Sequence, residues 1–435
     1  MEPAAPALNL FCPLENISAA RPPGMPGTSV AALCARPPGG TDAARAIKPY
    51  REDGPMNPDV PATPVRAAHA TLAQMASLLR DQQARKVDVV APATAIRARS
   101  GQLVIDDSTP LITGEGVTLT AGAYRPTGVC DQGIADKLGI PGGYLRRLRE
   151  DHPRLYDLNV NSWLERDDRK FLIRCLRPES GSGPGIARAF LSDGYKVIDN
   201  LDVIMACLEG IRASGFPVRV DQCDLTDRRM YVRVVCEQVR SLAPALLAGY
   251  RSPFTGATGA DNPVVFSGFV ITNSETGCGA ATLTPRLIVQ VCDNGLQITK
   301  DAIRAVHLGE RQDEGVITWS GRTQDKTLEL ITAKTTDAVR AFLAPEYAER
   351  ALREIARAAG RPVADPAETV KTVSQKLRYT EAQQTAILDH FIRGGDVTAG
   401  GVMHAVTSVA QTLTDPDEAH ELEASALRAL EAAAA

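Results

Sequence analysis

The sequence predicts an α+β protein with a mainly antiparallel central sheet flanked by helices, and a helical C-terminal region. Three observations carry that expectation. The middle of the chain, from Lys170 to Gln297, alternates apolar and polar residues in short runs between Gly, Asp and Asn turns, the period-two pattern of strands. After Lys300 the apolar period lengthens to that of amphipathic helices. With 435 residues, 44% of them hydrophobic and 23% charged, the chain has material for one large core or two medium ones.

Residues 1–55 hold 10 of the 29 prolines and no periodic segment, and read as a disordered or mis-annotated extension, with Met56 as a natural start. The spacing of Leu72, Met75, Leu78 and Leu79 predicts a helix over Thr71 to Lys86. "KVDVVAP", "QLVID" and "GVTLT" read as short strands. "DQGIADKLGIPGGYLRRLRED" reads as two helices joined at Gly139, and "RLYDLNVNSWLERDD" as another helix. "RKFLIRCLRP" is a strand, and "GIARAFLSDGYKVIDN" is a hairpin turning at Ser192-Asp193-Gly194. Asp199 or Asn200 caps the helix that follows, and Gly215 stops it. Two strands joined at "DLTD" come next, then two longer ones around "TNSETG". "DAIRAVHLG" opens the helical part, and a boundary near residues 359–368 divides a core domain, 56–358, from a helical region, 359–435.

The net charge of −4 excludes a strongly basic nucleic-acid protein, although Gln411 to Ala435 alone carry six acidic residues and one basic. The nine cysteines include no C-x-x-C pair and sit largely in apolar runs, which suits a reducing, cytoplasmic setting. No signal peptide or membrane-length apolar run stands out, so no membrane partner is expected. The six histidines have no metal-ligand spacing, and neither a P-loop nor a G-x-S-x-G elbow occurs. No cofactor is expected, and the residues favour a non-enzymatic role.

Three stretches are candidates for function. The first is the helix pair about Gly139. It has the apolar spacing of a helix-turn-helix, with Ile134, Leu138, Ile140, Leu145 and Leu148 inward. Its second helix begins with Pro141, Gly142 and Gly143, where a reader of base edges needs side chains. Arg146, Arg147 and Arg149 are left as phosphate contacts. The second is the strand arginines. Arg174, Arg188, Arg219 and Arg233, with Phe190 and Tyr231, would form an arginine–aromatic platform for single-stranded DNA if their strands were neighbours. The ordinary alternative is half-exposed strands whose arginines pair with Asp193, Asp221 and Asp224. The third is the pair of polar turns "TNSETG" and "CDNG". There Glu275 and Asp293 are thin candidates for a metal site, and plain turn chemistry is the competing reading.

"ARAFLSDGYKVIDNLDVI", "FVITNSETGCGAATLTPRLIVQVCDNGL" and "GGVMHAVTSVAQ" resemble an uncharacterised phage/plasmid-like family, a domain of unknown function carried by mobile elements. The resemblance runs from about Val87 to Ala435 and implies a mobile-element setting with no established catalytic residues. The leading expectation is therefore single-stranded DNA binding or annealing through the arginine face. The alternative is a module that binds a host defence or recombination protein, with the acidic C-terminal helix as its best feature. A metal-dependent hydrolase comes third. Arginines converging in an open groove favour nucleic acid; arginines dispersed or neutralised favour a protein partner.

Overall fold

The structure, a computed structural model, describes residues 66–105, 111–113, 116–118, 121–178, 183–195, 197–305 and 321–435. The expected extension over residues 1–55 lies outside them. Three sheets occur among the described residues: a two-stranded ribbon of β5 (Leu111–Thr113) and β6 (Gly116–Thr118), and two larger sheets that organise the fold. Their strands pair antiparallel throughout except for one parallel pair, and the chain from Gly321 onward is helical, so the fold is α+β as expected.

The first sheet has six strands in the order β2 (Lys86–Pro92), β8 (Lys170–Leu176), β9 (Gly185–Ser192), β7 (Gly122–Pro126), β4 (Gln102–Ile105), β3 (Ile96–Arg99). One face is covered by α2 (Gly128–Leu138), α3 (Gly142–Asp151) and α4 (Pro153–Leu164). Val87, Val89, Ile96, Leu103, Phe171, Ile173 and Phe190 project there from the strands and meet Ile134, Leu145, Leu148, Tyr156 and Val160 from the helices. Burying that apolar surface is the main stabilising contribution of this half. The α2–α3 turn closes on Gly139 at φ 69°, a left-handed conformation that favours glycine. The edge strand β3 is shielded by α4: Ala98 N–H donates to Asn161 Oδ1 at 2.7 Å, and Asn161 Nδ2 donates to Ala98 O at 2.9 Å.

The second sheet runs β1 (Ala67–Ala70), β10 (Arg219–Leu225), β11 (Met230–Leu242), β12 (Val264–Asn273), β13 (Ala281–Val289), β14 (Asn294–Gln297), with β15 (Ile303–Ala305) also on β13. Helices α5 (Asn200–Ser214) and α7 (Gly321–Phe342) pack together and contact β12. Helices α8 (Pro345–Ala359), α11 (Ala399–Ala410) and α12 (Pro416–Ala433) pack on β11 and β14, with α9 (Pro366–Leu377) and α10 (Glu381–Gly394) against α11 and α12. Helix α1 (Leu72–Arg85) starts with a capping box between Thr71 and Gln74. No helix among the described residues is long and apolar enough to cross a membrane.

Two local expectations are corrected. "GIARAFLSDGYKVIDN" is not a hairpin: β9 ends at Ser192 and no strand follows before α5 among the described residues. Both edges of β9 are already taken, by β8 and by the parallel β7, so a returning strand has no partner. In "DAIRAVHLG", Ile303–Ala305 is strand rather than helix, because β14 covers only Arg286 to Val289 of β13 and leaves Ala281 to Leu283 free to pair with β15.

Candidate functional site

The sequence-nominated arginines do not share a face. Arg174 and Arg188 lie on the six-stranded sheet, while Arg219, Tyr231 and Arg233 lie on the other. Arg188 and Phe190 are also separated. The register shifts between Arg174 and Cys175, which face Ala189 and Ala187, and this β-bulge turns the two residues to opposite sides. Phe190 enters the core and stacks on Phe171 at 4.6 Å.

Arg174 and Arg188 instead hold the two sheets together. Arg174 is 1% exposed and forks onto Asp88, with Nε at 2.9 Å and Nη2 at 3.1 Å. Its Nη2 also donates to Asp199 Oδ1 at 2.6 Å, and its Nη1 to the Glu275 carbonyl at 2.9 Å. Arg188 donates to Glu275 Oε1, and the other carboxylate oxygen accepts from the Asn200 backbone N–H at 3.1 Å. Lys86 pairs with Asp199. Burial alone would push the Arg174 guanidinium down, but Asp88, Asp199 and Glu275 outweigh it and hold its pKa above the ordinary value. Burial would likewise raise Asp199; Arg174 and Lys86 overcome it and keep this carboxyl below the usual range. Asp202, in the first turn of α5, is pushed up to about 6 by burial and the Asp199 and Glu275 charges, against the pull of Lys86 and Arg174.

The residues that meet here come from "KVDVVAP", "RKFLIRCLRP", "GIARAFLSDGYKVIDN" and "TNSETG", far apart in the chain. Asp199 sits at the N-cap position of α5 but makes no capping bond, since its carboxylate serves Arg174 and Lys86. The "TNSETG" turn is fixed by its own polar side chains: Ser274 Oγ donates to Arg228 O at 2.6 Å, and Asn273 Nδ2 donates to Asn200 Oδ1 at 2.9 Å. Turn chemistry is thus present, with Glu275 added as an inter-sheet tie.

Arg233 is 6% exposed and ion-paired to Asp224. Arg286 binds Glu423 of α12 at 2.5 Å, and Tyr231 O–H donates to Asp417 of the same helix. Arg286 passes so close to Gly295 that a β-carbon there would lie 1.9 Å from Nε, which explains the glycine of "CDNG". The acidic C-terminal stretch is therefore divided: Asp415, Glu418, Glu421 and Glu431 are exposed, while two carboxylates turn inward. Asp417 and Glu423 are buried against the sheet, with Leu422, Ala426 and Leu430 packing beside them. Arg219 alone of the four arginines is exposed, and it pairs with Asp221 at 2.8 Å and with Glu237 at 3.2 Å.

Glu275 and Asp293 do not come together. They flank opposite ends of the β12–β13 pair, in which Thr272 faces Thr282 and Val265 faces Val289. Nine residues of β13 separate the ends, about 26 Å at the usual strand rise, so one ion cannot reach both. The Glu275 oxygens are engaged, and Asp293 lies exposed in its turn at φ 55°. No group of three or more His, Cys, Asp or Glu residues that could hold a metal occurs among the described residues.

The helix pair about Gly139 forms as expected, with Pro141 at the N-cap of α3 and Gly142 and Gly143 in its first turn. Arg149 is not a free phosphate contact, because its Nε donates to Asp131 at 2.7 Å. Asp131 is fully buried and also accepts from Tyr156 O–H at 3.1 Å. Burial raises the Asp131 pKa, against the pull of Arg149 and Tyr156. Arg147 pairs with Asp151 at 3.3 Å on the surface, and Arg146 is exposed.

Two surfaces among the described residues stand out. On the first sheet the residues facing away from α2–α4 include Arg97, Arg99 and Arg125, all exposed and none ion-paired among the described residues. On α4 the inward face buries Tyr156, Val160 and Leu164; Leu155 (46%) and Leu158 (63%) stand about one turn apart on the opposite side, and Trp163 (52%) is exposed on the flank beside Tyr156. Tyr144 of α3, 51% exposed, adds to it. Composition hid this: "RLYDLNVNSWL" is apolar on both sides of one helix, a pattern that single-face periodicity reads only as a helix.

No family model, curated protein or solved structure matches the chain.

Proposed function

We propose that the chain is a protein-binding module whose contact surface is the outward face of α3 and α4. The observation that supports it is on α4: Leu155 and Leu158, one turn apart on its outward side, and Trp163 on its flank stand in solvent and take no part in the core cluster. Clustered exposed aromatics and aliphatics bordered by arginine are the composition of interface centres. A mobile-element setting, which the resemblance of its sequence motifs implies, suits such a role. A photo-crosslinking residue at position 158 in living cells tests the reading. It should give one discrete polypeptide adduct, absent when the same residue replaces exposed Glu349 on α8. No adduct at position 158, or the same adducts at both positions, overturns the reading.

A second reading rests on Arg97, Arg99 and Arg125. Strand register sets Arg99 opposite Gln102, and Leu103 faces Tyr124, so Arg99 and Arg125 fall two strands apart on one face. That is about 10 Å, within reach of neighbouring phosphates of a single strand. Under this reading, oligonucleotide anisotropy shows salt-sensitive binding that Arg97→Glu with Arg125→Glu abolishes. Absence of binding by the parent chain removes it.

A further inference from the structure

We infer that the outward face of α4 is completed by a second copy of this chain, the two α4 helices lying antiparallel about a two-fold axis. The inference rests on the docking-face reading above and names the occupant.

The charges on the helix are self-complementary. Arg154 and Glu165 are both exposed, and neither has an ion-pair partner among the described residues. Eleven residues separate them, close to three full turns, so they stand on one flank of the helix axis about 16 Å apart. A two-fold axis normal to the plane of a helix pair reverses direction and keeps each flank on its own side. It therefore sets Arg154 opposite the partner subunit's Glu165, and Glu165 opposite the partner subunit's Arg154. The same operation places Leu158 and the partner subunit's Leu158 on either side of the axis, with Leu155 one turn further out. A foreign partner would impose no such matching of the two ends.

The polar residues on this face are already prepared for burial. Asn159 Nδ2 donates to Leu155 O at 2.9 Å, and Ser162 Oγ donates to Leu158 O at 2.6 Å. Covering them leaves few polar groups unsatisfied, so the cost of desolvation is small. The patch is small for an obligate dimer, and the pair belongs to the weak, concentration-dependent class.

Sedimentation velocity of the full chain across about 1 to 100 μM, the range suited to so small a contact, reads the result directly. The mass should double with concentration. Leu158→Asp should abolish the dimer, and Leu158→Ser should weaken it at least ~10-fold. Arg154→Glu and Glu165→Arg should each weaken it by a similar factor, ~10-fold for about 1.4 kcal/mol. The double variant should restore it, with unchanged circular dichroism throughout. A chain that stays monomeric over the whole range, a dimer indifferent to Leu158→Asp, or charge variants that fail to rescue one another would overturn the inference. In the monomeric case a foreign adduct at position 158 would still uphold the docking face, so the two failures are separable.

Discussion

Arg174 and Arg97 lie on strands of the same sheet, both on the face turned away from α2–α4, yet one is sealed and the other open. The difference comes from what lies across from each. Over β8 and β9 sits the "TNSETG" turn of the second sheet, bringing Glu275, and the start of α5 brings Asp199. Over β3, β4 and β7 no described carboxylate pairs with Arg97, Arg99 or Arg125. An arginine at an alternating position is therefore a tie or a contact depending on a segment a hundred residues away. That is why strand alternation alone nominated the wrong set.

The contrast can be broken at its strongest points first. Removing residues 411–435 should abolish folding, not binding alone, because α12 supplies Leu422, Ala426, Leu430 and the Glu423 partner of Arg286. Loss of soluble, cooperatively melting protein is the expected outcome, and a folded truncation would show that α12 is dispensable. Arg174→Ala leaves Asp88, Asp199 and Glu275 without their shared cation. It should cost on the order of 3–5 kcal/mol in urea unfolding. A loss under about 1 kcal/mol would mean the tie is not formed. By contrast Arg97→Ala, Arg99→Ala and Arg125→Ala should each stay within about 0.5 kcal/mol of the parent.

A smaller effect reads burial on the other sheet. Burial holds His404 down at about 4 and, with Arg233 and Arg229 nearby, His420 at about 3. Both folded values lie below the ordinary 6.5, so the unfolded chain binds more protons as pH falls. Their contribution to stability is complete above about pH 6.5 and is lost as pH falls through the folded values. Comparing His404→Gln with the parent isolates one histidine: the gap between their unfolding free energies should narrow from about pH 7 to about pH 4.5. A constant gap would place His404 in contact with water.

Much of the fold was legible because its signals are local. The capped helix at Thr71, the Gly139 and Gly215 stops, and the strands β8, β10, β11, β12 and β13 stand where periodicity and turn residues put them. The site was less legible because pairing is not local. Nothing near Ser192 shows that β7 will occupy the edge of β9, and nothing near Arg188 shows a bulge. The clue to α4 was present but ambiguous: Leu155, Leu158 and Trp163 interrupt the polar residues Asp157, Asn159 and Ser162 beside Tyr156, Val160 and Leu164, so a single apolar face is not distinct.

The central claim is that the strand arginines divide into buried ties and open contacts. Arginine-specific labelling with phenylglyoxal, read by mass spectrometry on the native chain, tests it at every site in one experiment. Arg97, Arg99, Arg125 and Arg154 should react at the rate of free arginine, while Arg174, Arg188, Arg233 and Arg286 stay unmodified until the chain is unfolded. Native-state labelling of Arg174 and Arg188 at the rate of Arg97 would contradict the account.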